Sequence, residues 1–254
     1  MKTYETIRVE VEAGVATVTM DRPEVRNVIN RDMIREMTSA LEELGRDENV
    51  RVLILRGEGG KAFAGGADIA QLRARRALDA FEQVNATLFQ RIEDFPHPTI
   101  AAIEGFALGG GCEIALACDL RVAGESAKLG FPEVGLGIFP AAGGTHRLPK
   151  LVGLGKAKEL VFTGRVIDAH HALDIGLVEH VVPDALAKAK ELAAEIARNG
   201  TLAVRVAKMA MNAIARGSDP EPIEKLGQAL LFESPDKHER MTAFLEKRKA
   251  KENR

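Results

Sequence analysis

The chain has 254 residues, of which 46% are hydrophobic and 28% are charged, so it is long enough to bury a large core. The formal net charge is −2 and aromatic residues make up only 4%, which argues against a basic field for nucleic acid and against stacking platforms. The two cysteines, the lack of a long apolar run and an N-terminus without a targeting pattern favour a soluble, cytoplasmic protein without a disulfide framework.

The first three quarters of the chain alternate predicted strands and helices. Residues 7–11 and 15–19 alternate apolar and polar side chains on either side of Ala13-Gly14, which predicts an antiparallel hairpin. Continuous apolar runs predict three buried strands, at residues 52–55, 99–103 and 120–122. Apolar residues at helical spacing predict three helices, at residues 34–44, 75–95 and 112–118. This alternation is typical of an α/β protein.

Near Ala185 the composition changes to residues that favour helix, chiefly alanine, leucine, lysine and glutamate. Turn residues divide this part into four predicted helices, at residues 185–198, 201–216, 221–232 and 235–250. We therefore expect an α/β core over residues 1–195 and a helical region over residues 196–254, with no flexible linker between them.

Several common catalytic motifs do not occur in this sequence. No serine lies in the Gly-x-Ser-x-Gly turn of serine hydrolases. The loop at residues 57–62 lacks the spacing of a phosphate-binding loop, and the glycines at residues 105–111 lack that of a dinucleotide-binding loop. His170 and His171 are adjacent and would point about 100° apart on a helix. We therefore expect no metal site.

Two glutamates stand in apolar, glycine-rich surroundings. Glu113 follows three glycines at the start of an apolar helix, and Glu133 is the one charged residue in an apolar loop. Two such carboxylates suit general acid–base chemistry on a small substrate, since desolvation and proximity separate their pKa values. The sequence leaves two alternatives open: Glu113 only caps its helix, or Glu133 is a buried glutamate paired with an arginine such as Arg147.

Two glycine-rich segments each follow a predicted strand, at residues 64–68 and 109–111. Small side chains let a ligand approach the backbone closely, so each segment can offer a free N–H group. Two such donors that converge on one oxygen form an oxyanion hole, and the second also feels the positive end of a helix.

At these residues the sequence resembles the crotonase superfamily of enoyl-CoA hydratases and isomerases. The resemblance covers nearly the whole chain and rests on six segments, at residues 22–30, 61–69, 105–113, 129–133, 140–148 and 243–248. It implies an α/β, crotonase-like spiral of β-β-α units with a C-terminal helical region for trimerisation. Trimers in this family commonly pair into hexamers.

The resemblance also implies an acyl-CoA thioester substrate, with no cofactor because coenzyme A is part of that substrate. By motif position, the backbone N–H groups of Ala67 and Gly110 bind the thioester oxygen. The matching positions expected to contact the substrate or its coenzyme A are Arg26, Lys61, Phe63, Ala64, Gly66, Asp68, Ile69, Ala141, Phe244 and Lys247. No membrane is expected as a partner.

In this superfamily the glutamates select the chemistry, and hydratases carry both. The resemblance therefore implies an enoyl-CoA hydratase, in which Glu113 activates water and Glu133 exchanges a proton with the α carbon. Ala141 stands where hydratases usually have glycine, which leaves two alternatives: an isomerase, or a hydratase of branched or dicarboxylic enoyl-CoA of the methylglutaconyl-CoA kind. A remote alternative is RNA binding, because residues 237–254 carry a local charge of +4.

Overall fold

The computed structural model describes residues 3–252. Within this range the chain forms two compact units, one that ends at Glu195 and one that begins at Ile196. No helix in the described range is both long and apolar enough to cross a membrane.

The first unit contains a six-stranded sheet and a smaller four-stranded sheet. The six-stranded sheet has the order β1-β2-β3-β5-β7-β10. Its strands are β1 (Ile7–Glu12), β2 (Val15–Met20), β3 (Val52–Gly57), β5 (Thr99–Ile103), β7 (Leu120–Gly124) and β10 (His180–Val182). Within this sheet the β1–β2 pair is antiparallel and the other four pairs are parallel. The predicted hairpin is therefore confirmed, and Ala13 and Gly14 both take the positive φ angles that its tight turn requires.

The smaller sheet has the order β4-β6-β8-β9. Its strands are β4 (Ala62–Ala64), β6 (Phe106–Leu108), β8 (Lys128–Gly130) and β9 (Val166–Asp168). Three successive times the chain places one strand in the large sheet and the next in the small sheet, as β3 then β4, β5 then β6, and β7 then β8. This repetition, with helices between the pairs, is the predicted spiral of β-β-α units.

Nine α-helices in the described range begin before residue 196. They are α1 (Arg31–Arg46), α2 (Ile69–Ala74), α3 (Asp79–Glu82), α4 (Val84–Glu93), α5 (Gly110–Ala117), α6 (Gly144–Val152), α7 (Leu154–Thr163), α8 (Ala169–Asp174) and α9 (Ala185–Ala197). Helix α1 begins where the Asn30 side chain accepts a hydrogen bond from the N–H of Met33 (2.9 Å). All eight residues of α5 are buried, so this helix lies inside the hydrophobic core.

The prediction of a single helix over residues 75–95 was wrong. The chain forms α3 and α4 there, and α4 begins after Gln83, whose φ of +46° interrupts the helix. Leu78 and Phe81, two apolar residues in the first part of this segment, are 81% and 82% exposed. Apolar residues at helical spacing did not produce one helix because the first part of the segment has no core to pack against.

The second unit consists of helices separated by short turns. Besides the end of α9 it contains α10 (Thr201–Ala215), α11 (Glu221–Phe232) and α12 (Pro235–Glu252). These bounds agree with the predicted helices to within two residues. Helices α10 and α11 pack against each other.

Candidate active site

The first turn of α5 offers one backbone N–H group, that of Gly110, for binding a ligand. Gly109 has a φ of +53° and donates its N–H to the carbonyl of Gly130 (2.9 Å), which fixes the point where the helix begins. Gly110, the first helical residue, has no partner for its N–H among the described residues, as expected at a helix N-terminus. A Cβ built on Gly110 would lie 3.6 Å from the nitrogen of Ala67. The N–H groups of Gly110 and Ala67 therefore lie beside the same small space.

The second donor, Ala67, is held in place by the segment near Asn27. Ile29 donates its N–H to the carbonyl of Gly66 (2.8 Å). The buried Asn27 side chain donates to the carbonyl of Ala62 (2.7 Å) and accepts from the N–H of Arg22 (2.9 Å). The N–H of Ala67 has no acceptor in the described part of the chain. Asn27 belongs to one of the segments that carry the family resemblance, at residues 22–30, but its role was not predicted from the sequence.

Glu113 is buried on α5 and accepts two hydrogen bonds from another part of the chain. Its Oε1 accepts from the N–H of Ala142 (2.8 Å) and from the N–H of Gly144 (2.9 Å), while Oε2 receives no hydrogen bond from the described residues. Glu113 is therefore not a cap for its own helix. Burial, together with the nearby charge of Glu133, raises the pKa of Glu113 to about 7, although the two N–H donors oppose this shift.

Glu133 lies in a 3₁₀ helix (Pro132–Leu136), and its carboxylate faces Gly109 at the start of α5. A Cβ on Gly109 would lie 2.9 Å from Glu133 Oε1, so only glycine leaves room for this carboxylate. Both carboxylate oxygens are buried and neither has a hydrogen-bond partner among the described residues. Burial raises the pKa of Glu133, because the charged form loses its hydration and only its own backbone N–H opposes the shift.

The alternative in which Arg147 pairs with Glu133 was wrong. Arg147 is buried on α6, and its Nε lies 2.6 Å from Oε2 of Glu93 on α4. The site therefore contains two carboxyl groups near the start of α5, one with two N–H donors and one with none. This arrangement can hold one carboxyl ionised and the other protonated, next to two free N–H groups.

Comparison of the sequence with known families identifies the family of this chain. The sequence model of a family described as Enoyl-CoA hydratase/isomerase matches residues 10–253. The chain belongs to the enoyl-CoA hydratase/isomerase family. It is 45% identical over 256 residues to a crotonyl-CoA hydratase of Syntrophomonas wolfei, with 97% of both chains covered. It is 44% identical over 253 residues to a short-chain-enoyl-CoA hydratase of Clostridium acetobutylicum, with 94% of both covered.

Solved structures agree with the sequence relatives. The crystal structure of an enoyl-CoA hydratase from Bacillus anthracis superposes with a TM-score of 0.91 at 40% identity. The match covers 96% of this chain and 97% of that one. The predicted crotonase-like fold is therefore confirmed.

At some of the positions expected to bind substrate, the side chain is not accessible to a ligand. Phe63 and Ala64 are fully buried in the hydrophobic core, so a contact through either side chain is ruled out and only their backbone is available. Gly66 has a φ of +91°, and a Cβ there would lie 2.9 Å from the carbonyl of Leu108. Asp68 caps α2 by accepting from the N–H of Gln71 (3.0 Å), so it positions the end of the segment that carries Ala67.

The remaining positions are more exposed. Lys61 and Ile69 are exposed beside the same segment, and the guanidinium of Arg26 lies 5.8 Å from the ring centre of Phe106. Ala141 is exposed and directly precedes Ala142, one of the donors to Glu113.

Phe244 and Lys247 are exposed on α12 in the second unit. No group of three or more histidine, cysteine, aspartate or glutamate side chains that could hold a metal occurs within residues 3–252.

Proposed function

We propose that the protein adds water reversibly to short 2-enoyl-CoA thioesters and so forms 3-hydroxyacyl-CoA. The observation that carries this proposal is the pair of carboxyl groups at the start of α5, Glu113 with two N–H donors and Glu133 with none. The names of the relatives, a crotonyl-CoA hydratase and a short-chain-enoyl-CoA hydratase, support a short acyl chain.

In the hydration direction Glu113 acts as the general base. Its free Oε2 takes a proton from water as the water oxygen bonds to C3 of the enoyl group. The electrons of the C2–C3 double bond move toward the thioester, and the resulting negative oxygen accepts hydrogen bonds from Ala67 and Gly110. Each such preorganised donor is worth about 3–4 kcal/mol in the transition state.

Glu133 then completes the addition by giving its proton to C2. The water proton ends on Glu113 and the Glu133 proton ends on C2, so one later exchange of a proton between the two carboxyl groups restores the site. Dehydration follows the same steps in reverse. No electrons are gained or lost overall, and for this reason the reaction requires no cofactor beyond the coenzyme A of the substrate.

The protonation states that this mechanism needs follow from the surroundings of each group. Two N–H donors favour the ionised form of Glu113, whereas the unpartnered, buried Glu133 favours its neutral form. Since the charge of Glu133 raises the pKa of Glu113, the two groups titrate as a coupled pair. One proton shared between them at neutral pH gives a base and an acid together.

The proposal is tested with Glu113→Gln and Glu133→Gln. Each change keeps the volume of the side chain but removes its proton transfer, so kcat for hydration of crotonyl-CoA should fall more than ~100-fold. Both variants should still fold and bind coenzyme A. Glu36→Gln is a matched control, because Glu36 also accepts backbone N–H bonds but lies on α1, where its donors are residues 5 and 6 just before β1. Turnover near the wild-type value in either test variant would remove that glutamate from the mechanism.

We also propose that the protein assembles as a homotrimer or as a hexamer of two trimers. The support is a set of apolar side chains on α10, α11 and α12 that are more than half exposed in the single chain: Met209, Met211, Ile214, Leu226, Leu230, Phe232, Met241, Phe244 and Leu245. This much exposed apolar surface is unusual for a monomer.

Sedimentation should therefore give a trimer or hexamer, and deletion from about residue 200 onward should give aggregated or unfolded protein. A stable monomer would contradict the assembly. The net charge of −2 argues against nucleic acid as a partner, and a cytoplasmic location stays a prediction from the sequence.

A further inference from the structure

A buried ion pair lies next to the site and takes no part in the proton transfers described above. Arg147 on α6 and Glu93 on α4 are 2.6 Å apart, and their side chains are only 7% and 18% exposed. Arg147 Nη2 also donates to the side-chain oxygen of Gln90 (3.2 Å). Buried ion pairs add little net stability, because the cost of desolvation offsets their attraction. Stability alone is therefore a weak reason for this pair.

Arg147 reaches Glu113 through a single residue. Its Nη1 donates to the carbonyl of Ala142 (3.2 Å), and the N–H of the same Ala142 donates to Glu113 Oε1 (2.8 Å). The backbone of Ala142 is thus held on one side by the guanidinium and joined on the other to the carboxylate. Movement of Arg147 would therefore move a donor to Glu113.

The next residue, Gly143, shows how closely the turn fits the guanidinium. Gly143 has a φ of +124°, and a Cβ there would lie 1.9 Å from Arg147 Nη1. Gly144 follows as the first residue of α6 and supplies the second N–H to Glu113. The guanidinium of Arg147 therefore packs directly against the backbone of Gly143, the residue between the two donors. A side chain at this position would collide with it.

We propose that Arg147, held by Glu93, is a positioning residue that fixes the turn at residues 141–143 so that two N–H groups meet at Oε1 of Glu113. Oε2 is then left free for water. This inference rests on the proposed function, since it concerns the base of the hydration. The ionisable side chains on the elements around Glu113 are Glu133 on the 3₁₀ helix, Arg147 with the exposed His146 and Lys150 on α6, Arg91 and Glu93 on α4 with Asp94 directly after it, and Cys112 on α5.

The sign of the expected effect follows from these neighbours. The N–H donors and the positive charge of Arg147 lower the pKa of Glu113, whereas burial and Glu133 raise it. A looser turn removes part of the lowering contribution. The pKa of Glu113 should therefore rise, and the acid limb of the hydration profile should move to higher pH.

The test variant is Arg147→Lys, which keeps the charge but cannot bond to Glu93, Gln90 and Ala142 at once. We expect kcat for crotonyl-CoA hydration to fall about 10–100-fold, as for a misplaced reacting group, with KM changed less than about threefold. The acid limb of kcat/KM should move to higher pH. Arg121→Lys is the matched control, because Arg121 is equally buried, pairs with Glu179 and donates to two carbonyls, yet does not contact the turn.

A second readout does not depend on turnover. The titration of the Glu113 carboxyl can be followed by pH-difference infrared spectroscopy, with Glu113→Gln to identify its band. A shift to higher pH in Arg147→Lys but not in Arg121→Lys supports the inference even if crotonyl-CoA is not the substrate. If Arg147→Lys does not fold, Glu93→Gln should give a smaller shift in the same direction. The inference is overturned if the folded variant only loses thermal stability, as the control does, and keeps the wild-type titration and pH profile.

Discussion

Gly110→Ala should separate the stability of the fold from catalysis. A Cβ at residue 110 would have no neighbour closer than 3.6 Å, which is ordinary van der Waals contact. That nearest neighbour is the nitrogen of Ala67, so the methyl group would lie between the two N–H groups proposed to bind the thioester oxygen. The chain can therefore fold around the methyl group, but the substrate oxygen would lose its place.

The size of each effect can be estimated. Loss of one oxyanion donor costs about 100–1,000-fold in turnover, and the methyl group should obstruct both donors, so we expect at least this loss in kcat/KM. Gly→Ala at a position that accepts alanine stabilises a protein by about 0.4–1 kcal/mol, because it restricts the unfolded chain. For a chain of this length that corresponds to a rise in Tm of at most about 4 °C.

Gly111→Ala is the control with the opposite result. A Cβ there would lie 2.0 Å from the carbonyl oxygen of Ala64, a backbone atom in β4 that cannot turn away. This variant should lose thermal stability, because α5 or β4 must move. The assay is hydration of crotonyl-CoA together with thermal unfolding for both variants. Wild-type kcat/KM in Gly110→Ala, or a fall in Tm as large as that of Gly111→Ala, would refute the reasoning.

Three further predictions concern the water and the base. Ala141→Gly should raise the hydration rate if the methyl group crowds the water, and assays of hydration and isomerisation in both proteins would check this; unchanged hydration with negligible isomerisation would show that the methyl group has no effect. Because the pKa of Glu113 is raised to about 7, kcat/KM should fall as the pH drops below that value. A carboxyl whose pKa is higher in the folded state than its usual 4.5 weakens the fold as pH rises through this interval. Glu113→Gln should therefore raise Tm more at a pH above 7 than at a pH below 4.5, and equal shifts would contradict the burial argument.

The elements predicted correctly from the sequence are those whose local pattern of apolar, polar and glycine residues is sufficient to define them. The hairpin of β1 and β2 follows from alternation around two residues that tolerate positive φ, and α5 follows from three glycines before an apolar run. The segment at residues 75–95 failed because its helical spacing had no packing partner, as the exposure of Phe81 demonstrates. Local pattern thus predicts structure where the tertiary surroundings agree with it.

The contacts within the site lay beyond what the sequence could predict. Glu113 bonds to residues 29 and 31 positions further along, and no local pattern reports such a separation. Arg147 was one possible partner for Glu133 in the sequence, yet it pairs with Glu93, which is 54 positions away. Motif matching identified Phe63 as a binding position but could not reveal that its side chain belongs to the core. Motif resemblance selects positions, whereas the structure decides which atoms at those positions are available.

The enclosure of α5 has a consequence for the influence of salt. Mobile ions screen exposed charges over about 8 Å at physiological ionic strength, but they cannot approach a helix whose eight residues are all buried. The positive potential at its first turn therefore acts through a medium of low polarity, where it is stronger than in water. Exposed cations such as Lys61 have no such protection. Ionic strength should thus weaken the capture of a negatively charged substrate much more than it weakens the field at the reacting atoms.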